Sequence, residues 1–223
     1  MGTSATARKQ FAIFLRFNAK AYEPIVALRD RYPPTQPEKL RKSDPINIKA
    51  TSPTFPIIRR LPRMELAALE ARVSNFASMR KPFDLKLGLP QVLGPPRSLQ
   101  EGQAPLYGVG FQYDKQTLDQ LRIDIFEDFN RHIEEFGTQG NEPFRIVPLK
   151  PESTGSLWIC TSSQGYDTEE KAAGIVEELR KEYPNGFGPI PAEGLTIREA
   201  QNSPARTRTY IITDLATHDF GSE

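Results

Sequence analysis

Cysteine and histidine are the scarcest reactive groups in this chain. The single cysteine, Cys160, excludes a disulfide framework and a thiolate metal cluster. The two histidines, His132 and His218, exclude a histidine-rich metal site. No cofactor and no metal is therefore expected. No run approaches the ~18 apolar residues of a membrane span, and no secretory signal opens the chain. An intracellular, cytoplasmic protein without a membrane span is the expectation. A Walker loop and a G-x-G-x-x-G fingerprint are both missing. A large net charge is missing too: 29 Lys and Arg meet 28 Asp and Glu, for +1 at neutral pH. The chain as a whole is no polycation.

What is present fits an ordinary globular domain. Of the 223 residues, 38% are hydrophobic, enough to bury a core without staples. The 20 prolines predict many ordered loops. Charge is uneven along the chain. Residues 39–63 hold Lys39, Arg41, Lys42, Lys49, Arg59, Arg60 and Arg63 against Asp44. Residues 119–142 are acidic, with Asp119, Asp124, Glu127, Asp128, Glu134, Glu135 and Glu142. The first segment suits phosphate and the second does not. Two solvated faces would look the same. Gly2 and Thr6 match the myristoylation pattern, a short motif that chance also produces.

Periodicity orders the elements. Phe11 to Phe17 reads as a buried strand, and Asn18 as the cap of the helix after it. Ile25, Leu28 and Tyr32 give that helix its inner stripe. Phe55 to Arg60 reads as a strand with Pro56 inside. Leu66, Leu69, Val73 and Phe76 share a helix face. Phe83 to Leu89 and Leu106 to Tyr113 are strands. Gly108 and Gly110 in the latter mark a bulge or a close approach. Residues 114–136 form the longest helix, striped by Leu118, Leu121, Ile125, Phe129 and Phe136. Phe144 to Leu149 and Leu157 to Ser162 are strand-like. Thr168 caps a helix reaching Tyr183. Leu195 to Glu199 and Thr207 to Asp214 close the chain as strands. Strand–helix alternation with paired strands, run twice, predicts an α+β fold of two similar antiparallel-rich lobes. The helices are expected outside, with a concave groove between the lobes. Residues 1–9 are expected to be disordered, 10–215 to form the bilobal domain, and 216–223 to be a loose tail. No literal sequence repeat is visible.

This order resembles the two-histidine phosphoesterase superfamily, the 2′-5′ RNA ligase and cyclic phosphodiesterase group. FAIFLRFN with a helix ending LRDRYPP resembles its opening strand and helix. TFPIIRRLPRMELAALE resembles its first motif strand and helix. EPFR, WICTSSQGYDTEEKAAGIVEELRKEYP, AEGLTIREA and RTRTYIITDL resemble later segments in the same order. The likeness spans roughly residues 10–215. It implies a groove in which two copies of H-x-[ST] flank one phosphate. The histidines serve as general base and acid, and the hydroxyls bind phosphoryl oxygens.

The sequence departs from that pattern where the chemistry sits. Anchored on Leu61-Pro62, the first motif falls on Thr54 and Pro56. A two-residue slip would place Ser52 and Thr54 there instead. Anchored on the helix near Thr168, the second falls on Ile159 and Thr161. Both histidine positions are therefore substituted, no histidine precedes His132, and no catalytic residue is expected. Thr161, Ser163 and Arg60 share groove parity and become phosphate candidates, with Lys39, Arg41 and Lys42 on a basic rim. Ile58 and Ile159 would make an apolar floor. Trp158 and Cys160 would face the core. His132 reads as a helix residue and His218 as an exposed tail residue. The implied function is a non-catalytic binding module for RNA or a nucleotide, or a subunit with a protein partner. The alternative is a phosphodiesterase using relocated acid–base groups.

Overall fold

The computed structural model describes residues 9–33, 54–61, 65–94, 106–136, 156–160, 165–202 and 210–221. The predicted strand 144–149 lies outside these residues, as do the N-terminal stretch 1–8 and its Gly2. Seven strands and four α-helices are described. They are β1 (Lys9–Phe17), α1 (Ala19–Arg31), β2 (Thr54–Leu61), α2 (Leu66–Ser78), β3 (Phe83–Leu93), β4 (Gly108–Tyr113), α3 (Lys115–Arg131), β5 (Ser156–Cys160), α4 (Glu169–Glu182), β6 (Gly188–Asn202) and β7 (Tyr210–Asp219). Every strand pairing among the described residues is antiparallel. The fold is α+β, as the element order predicts.

The sheet divides at β6. Its long second part pairs with β1 on one edge and β7 on the other, and β2 extends β1. Its first part pairs with β3, which continues through β4 to β5. We call β2-β1-β6-β7 the first half and β6-β3-β4-β5 the second. The helices cross over. α1 leaves β1 of the first half and packs against β5, beside α4 on β3 and β4. α2 packs against β6 and β7, and α3, which leaves β4, packs against β2. Each half thus has a four-stranded layer backed by two helices, one of them lent by the other half.

The crossing hides an internal repeat. Asn18 caps α1 by accepting from Ala21 N at 3.0 Å; Asp114 caps α3 by accepting from Gln116 N at 3.1 Å. Asn18 N donates to Pro191 O at 2.8 Å, and Asp114 N donates to Lys86 O at 3.1 Å. Phe17 sits opposite Ala192, and Tyr113 opposite Leu87. Leu15 faces Leu195, and Phe111 faces Pro90. Leu69, Val73 and Phe76 of α2 match Ala172, Val176 and Leu179 of α4 in spacing and burial. Phe83 pairs with Ala192, and Leu87 with Gly188, around the central pair Leu85 and Ile190. That pair, fully buried on both sides, lies on the pseudo-two-fold axis.

Two segments depart from the sequence reading. β6 begins at Gly188, not near Leu195, because Pro189 and Pro191 are tolerated in it. The carbonyl of Pro191 meets Asn18, so these alternate residues turn their polar edge toward β1, away from β3. The N–H groups that proline lacks are not asked of it by β3. The expected loose tail is corrected likewise. Residues 216–219 belong to β7, and Phe220 is buried against Phe83, ring centroids 5.9 Å apart. Gly194 allows this: a Cβ there would stand 2.2 Å from His218 O.

Candidate functional site

Alternation gives β1 two unlike faces. Phe11, Ile13, Leu15 and Phe17 are buried in the core, whereas Ala12, Phe14 and Arg16 are half-buried on the other face. We call the second the open face. Register carries it across the first half. One row runs Thr54–Arg16–Gly194–Asp219, and the next Pro56–Phe14–Thr196–Thr217. The predicted first motif therefore begins on the row of Arg16.

Parity does not continue along β2. A register shift follows Pro56, leaving Ile57 unpaired and bringing Ile58 opposite Ile13 in the core. A second shift precedes Leu61, which meets Phe11. Ile58 is 5% exposed and belongs to the core, so it is not part of an open-face floor. Counting by twos from Thr54 to Arg60 crosses the same shifts and no longer places Arg60.

β5 repeats this pattern. Ser156 sits opposite Gln112, Leu157 opposite Phe111, Trp158 opposite Gly110, and Cys160 opposite Val109. Ile159 is left in a register shift, as Ile57 is in β2. Through the repeat, Ser156 corresponds to Thr54, and Trp158 to Pro56. In the register, Cys160 stands opposite Val109, while Trp158 stands on the row of Gly110 and Gln91. The bulge expected from Gly108 and Gly110 is this shift. Side chains at 54–56, 59, 60 and 156–160 are outside the described set, as are residues 39, 41, 42, 161 and 163 altogether.

The open face of the first half is charged, and its charges meet one another. Arg16 Nη1 bonds Glu193 Oε2 at 2.9 Å, and its Nη2 bonds Asp219. Arg198 pairs with Asp214, and its guanidinium lies 4.6 Å from the Phe14 ring centroid. Among the described residues, two cations thus face three carboxylates. Thr196 is 1% exposed, and its hydroxyl has no hydrogen-bond partner among the described residues. In the second half, the corresponding rows hold Gly110, Gln112 and Gln91. Gln112 Nε2 donates to Gln91 Oε1 at 2.9 Å.

Neither histidine reaches the open face. His132 caps the C-terminus of α3, its Nδ1 lying 2.9 Å from Asp128 O. His218 is not an exposed tail residue. It lies opposite Leu195, on the row of Leu15, one position off the row of Arg16. Leu15 and Leu195 are both fully buried, so His218 stands on the helix-covered side. Its Nε2 is enclosed without a partner among the described residues. Burial pushes its pKa below the ordinary 6.5, against the opposing pull of Glu70 and Asp219.

A cleft of about 920 Å³ opens on the helix side, between the end of α2, the start of β3 and α3. Arg80 crosses it to Asp124 at 2.6 Å and covers the Phe76 ring at 4.4 Å. Among the described residues, no group of three His, Cys, Asp or Glu is placed to hold a metal. No described helix is long and apolar enough to cross a membrane.

No protein-family model matches the chain, and no curated protein matches it. Solved structures do. The chain is similar to TT0787 of Thermus thermophilus, at 13% identity over 96% of this chain and 100% of that one, with TM-score 0.46. It is similar to E. coli LigT complexed with 3′-AMP, at 16% identity over 97% and 99%, with TM-score 0.45. It is similar to a phosphoesterase, at 14% identity over 96% and 99%, with TM-score 0.40.

Proposed function

We propose that the chain is a non-catalytic relative of the 2′-5′ RNA ligase and cyclic phosphodiesterase group that binds RNA or a nucleotide. One observation carries this reading: no imidazole stands on the open face. The resemblance implies proton transfer by two histidines flanking one phosphate. Here His132 is tied to its own helix end, and His218 faces the core. Losing such a group typically costs ~10²–10⁴ in rate per proton transfer. Thr54 and Ser156, or Thr54 and Ile159, offer no substitute near neutral pH.

Phosphate contact then falls to the basic segment 39–63 rather than to the motif positions. Arg16 and Arg198, the open-face arginines among the described residues, already meet Glu193, Asp219 and Asp214. Binding through the segment is weak, indifferent to sequence and steep in salt, because it rests on counterion release. Titrating single-stranded RNA at rising salt tests it. Replacing Lys39, Arg41 and Lys42 with alanine flattens the salt slope by up to ~0.7 per lost contact. Replacing Thr161 with valine leaves it unchanged, and a loss of binding there puts the contact back in the motif. RNA that fails to bind even at low salt overturns the reading in favour of a subunit docking a protein partner.

A further inference from the structure

The end of β7 ties four elements together. Asp219 and Arg16 stand two strands apart, about 10 Å by ordinary strand spacing, yet their side chains bond. Gly194 lies between them on the same row and puts no side chain in the way. Phe220 N donates to Glu193 O at 2.8 Å, and its ring lies against Phe83 at the start of β3. Gly221 N donates to Ala77 O of α2 at 3.3 Å. His218 is the weak point of this clasp. It lies on the side where α2 packs, and its Nε2 is enclosed without a hydrogen-bond partner among the described residues. The charged groups that face it are Glu70 of α2 and Asp219 of its own strand. β6 sets the apolar Leu195 opposite it, and Arg72 of α2 is turned to Asp128. A proton added to the ring would leave a charged N–H enclosed with no acceptor, which is costly.

We propose that the end of β7 is an acid-released clasp: protonation of His218 lifts residues 218–221 from α2 and β3 and frees Arg16 from Asp219. Burial holds the ring's pKa below 6.5 in the closed form, so the open form takes the proton more readily. Each pH unit well below 6.5 therefore favours opening by up to about tenfold. Once Asp219 leaves, Nη1 of Arg16 stays with Glu193, which Asn18 also holds. Nη2 becomes available on the row of Thr54. The use of that arginine rests on the RNA- or nucleotide-binding reading above, to which it adds control by pH; the release itself does not.

Hydrogen exchange on the full chain reads the release. Corrected for intrinsic rates, protection of the amides in 213–221 falls by up to ~tenfold between about pH 7.5 and about pH 5.5, with little dependence on urea. Ile13 and Leu118 stay protected. His218→Gln, which keeps a polar side chain but takes no proton, removes that fall. Glu70→Gln, which removes a carboxylate that draws the proton, deepens it, and serves if the histidine variant does not fold. Salt titration of single-stranded RNA reads the arginine. At neutral pH, Asp219→Asn steepens the slope by up to ~0.7, one added phosphate contact, and Arg16→Ala in the same chain cancels the gain. Protection in 213–221 that ignores pH, or that falls equally in His218→Gln, overturns the clasp. A slope unchanged in Asp219→Asn overturns the freeing of Arg16. RNA that binds at no salt overturns the binding reading and the use of Arg16 with it, while the clasp stands or falls on the exchange result.

Discussion

The two halves repeat one architecture and surface it in opposite ways. At matching positions, the first half has Phe14, Arg16 and Thr196 where the second has Gly110, Gln112 and Gln91. The first half fills its open face and neutralises it with Glu193, Asp214 and Asp219. The second carries no charge at those three positions. Their helix layers differ as well. α2 and α3 are joined by a buried ion pair, with Arg72 Nε 2.6 Å from Asp128 Oδ2. α1 and α4 are joined at the surface, where Arg31 meets Glu182 at 2.5 Å and Tyr32 meets Glu178 at 2.9 Å. Shared connectivity therefore dictates where caps, bulges and core residues go, and leaves charge free to diverge.

The largest effect expected from breaking this comparison is at the buried pair. Asp128→Ala leaves Arg72 without its carboxylate and costs about 3–5 kcal/mol in chemical denaturation. Glu182→Ala, the surface counterpart, changes stability little, because exposed pairs are screened. Equal losses would erase the distinction between the two helix layers.

Ile190→Ala strikes the axis where both halves meet. It should cost about 2–5 kcal/mol and shift the unfolding midpoint as one transition, since β6 serves both sheets. Two separate transitions would mean that the halves unfold independently.

His218 sharpens the comparison through pH. Its folded pKa is lowered, so the unfolded chain takes up the proton first. Stability is therefore full above the ordinary value of 6.5 and falls as pH drops through it. His218→Gln should flatten thermal midpoints measured across that window. The smallest effect is at Thr196. Its hydroxyl is buried without a partner among the described residues, so Thr196→Val should be neutral or slightly stabilising by calorimetry. A clear loss would reveal a partner for that hydroxyl.

Much of this was legible in the sequence, for reasons that are local. Asn18 and Thr168 announced their helices because a side-chain oxygen satisfies a first-turn N–H, and both do so here. The stripes Leu69, Val73, Phe76 and Leu118, Leu121, Ile125, Phe129 are buried as their spacing requires. The repeat was not legible, because it is kept in register and burial rather than in residue type: Phe14 answers to Gly110. Ile58 of β2 was misread past its bulge, since counting by twos assumes an unbroken ladder. Pro189 and Pro191 concealed the start of β6, because only the pairing edge shows that their missing donors are harmless. His218 looked like a tail residue because the Thr- and Asp-containing stretch that holds it gives β7 little hydrophobic signal.

The central claim is that this architecture carries no acid–base pair at the predicted motif positions. The most direct test is turnover of 2′,3′-cyclic nucleotides by purified, repurified protein alongside His132→Ala and His218→Ala. The account predicts the same product formation as a buffer blank in all three samples. Turnover that survives repurification and disappears in either variant would contradict it, and would identify the histidine that does the work.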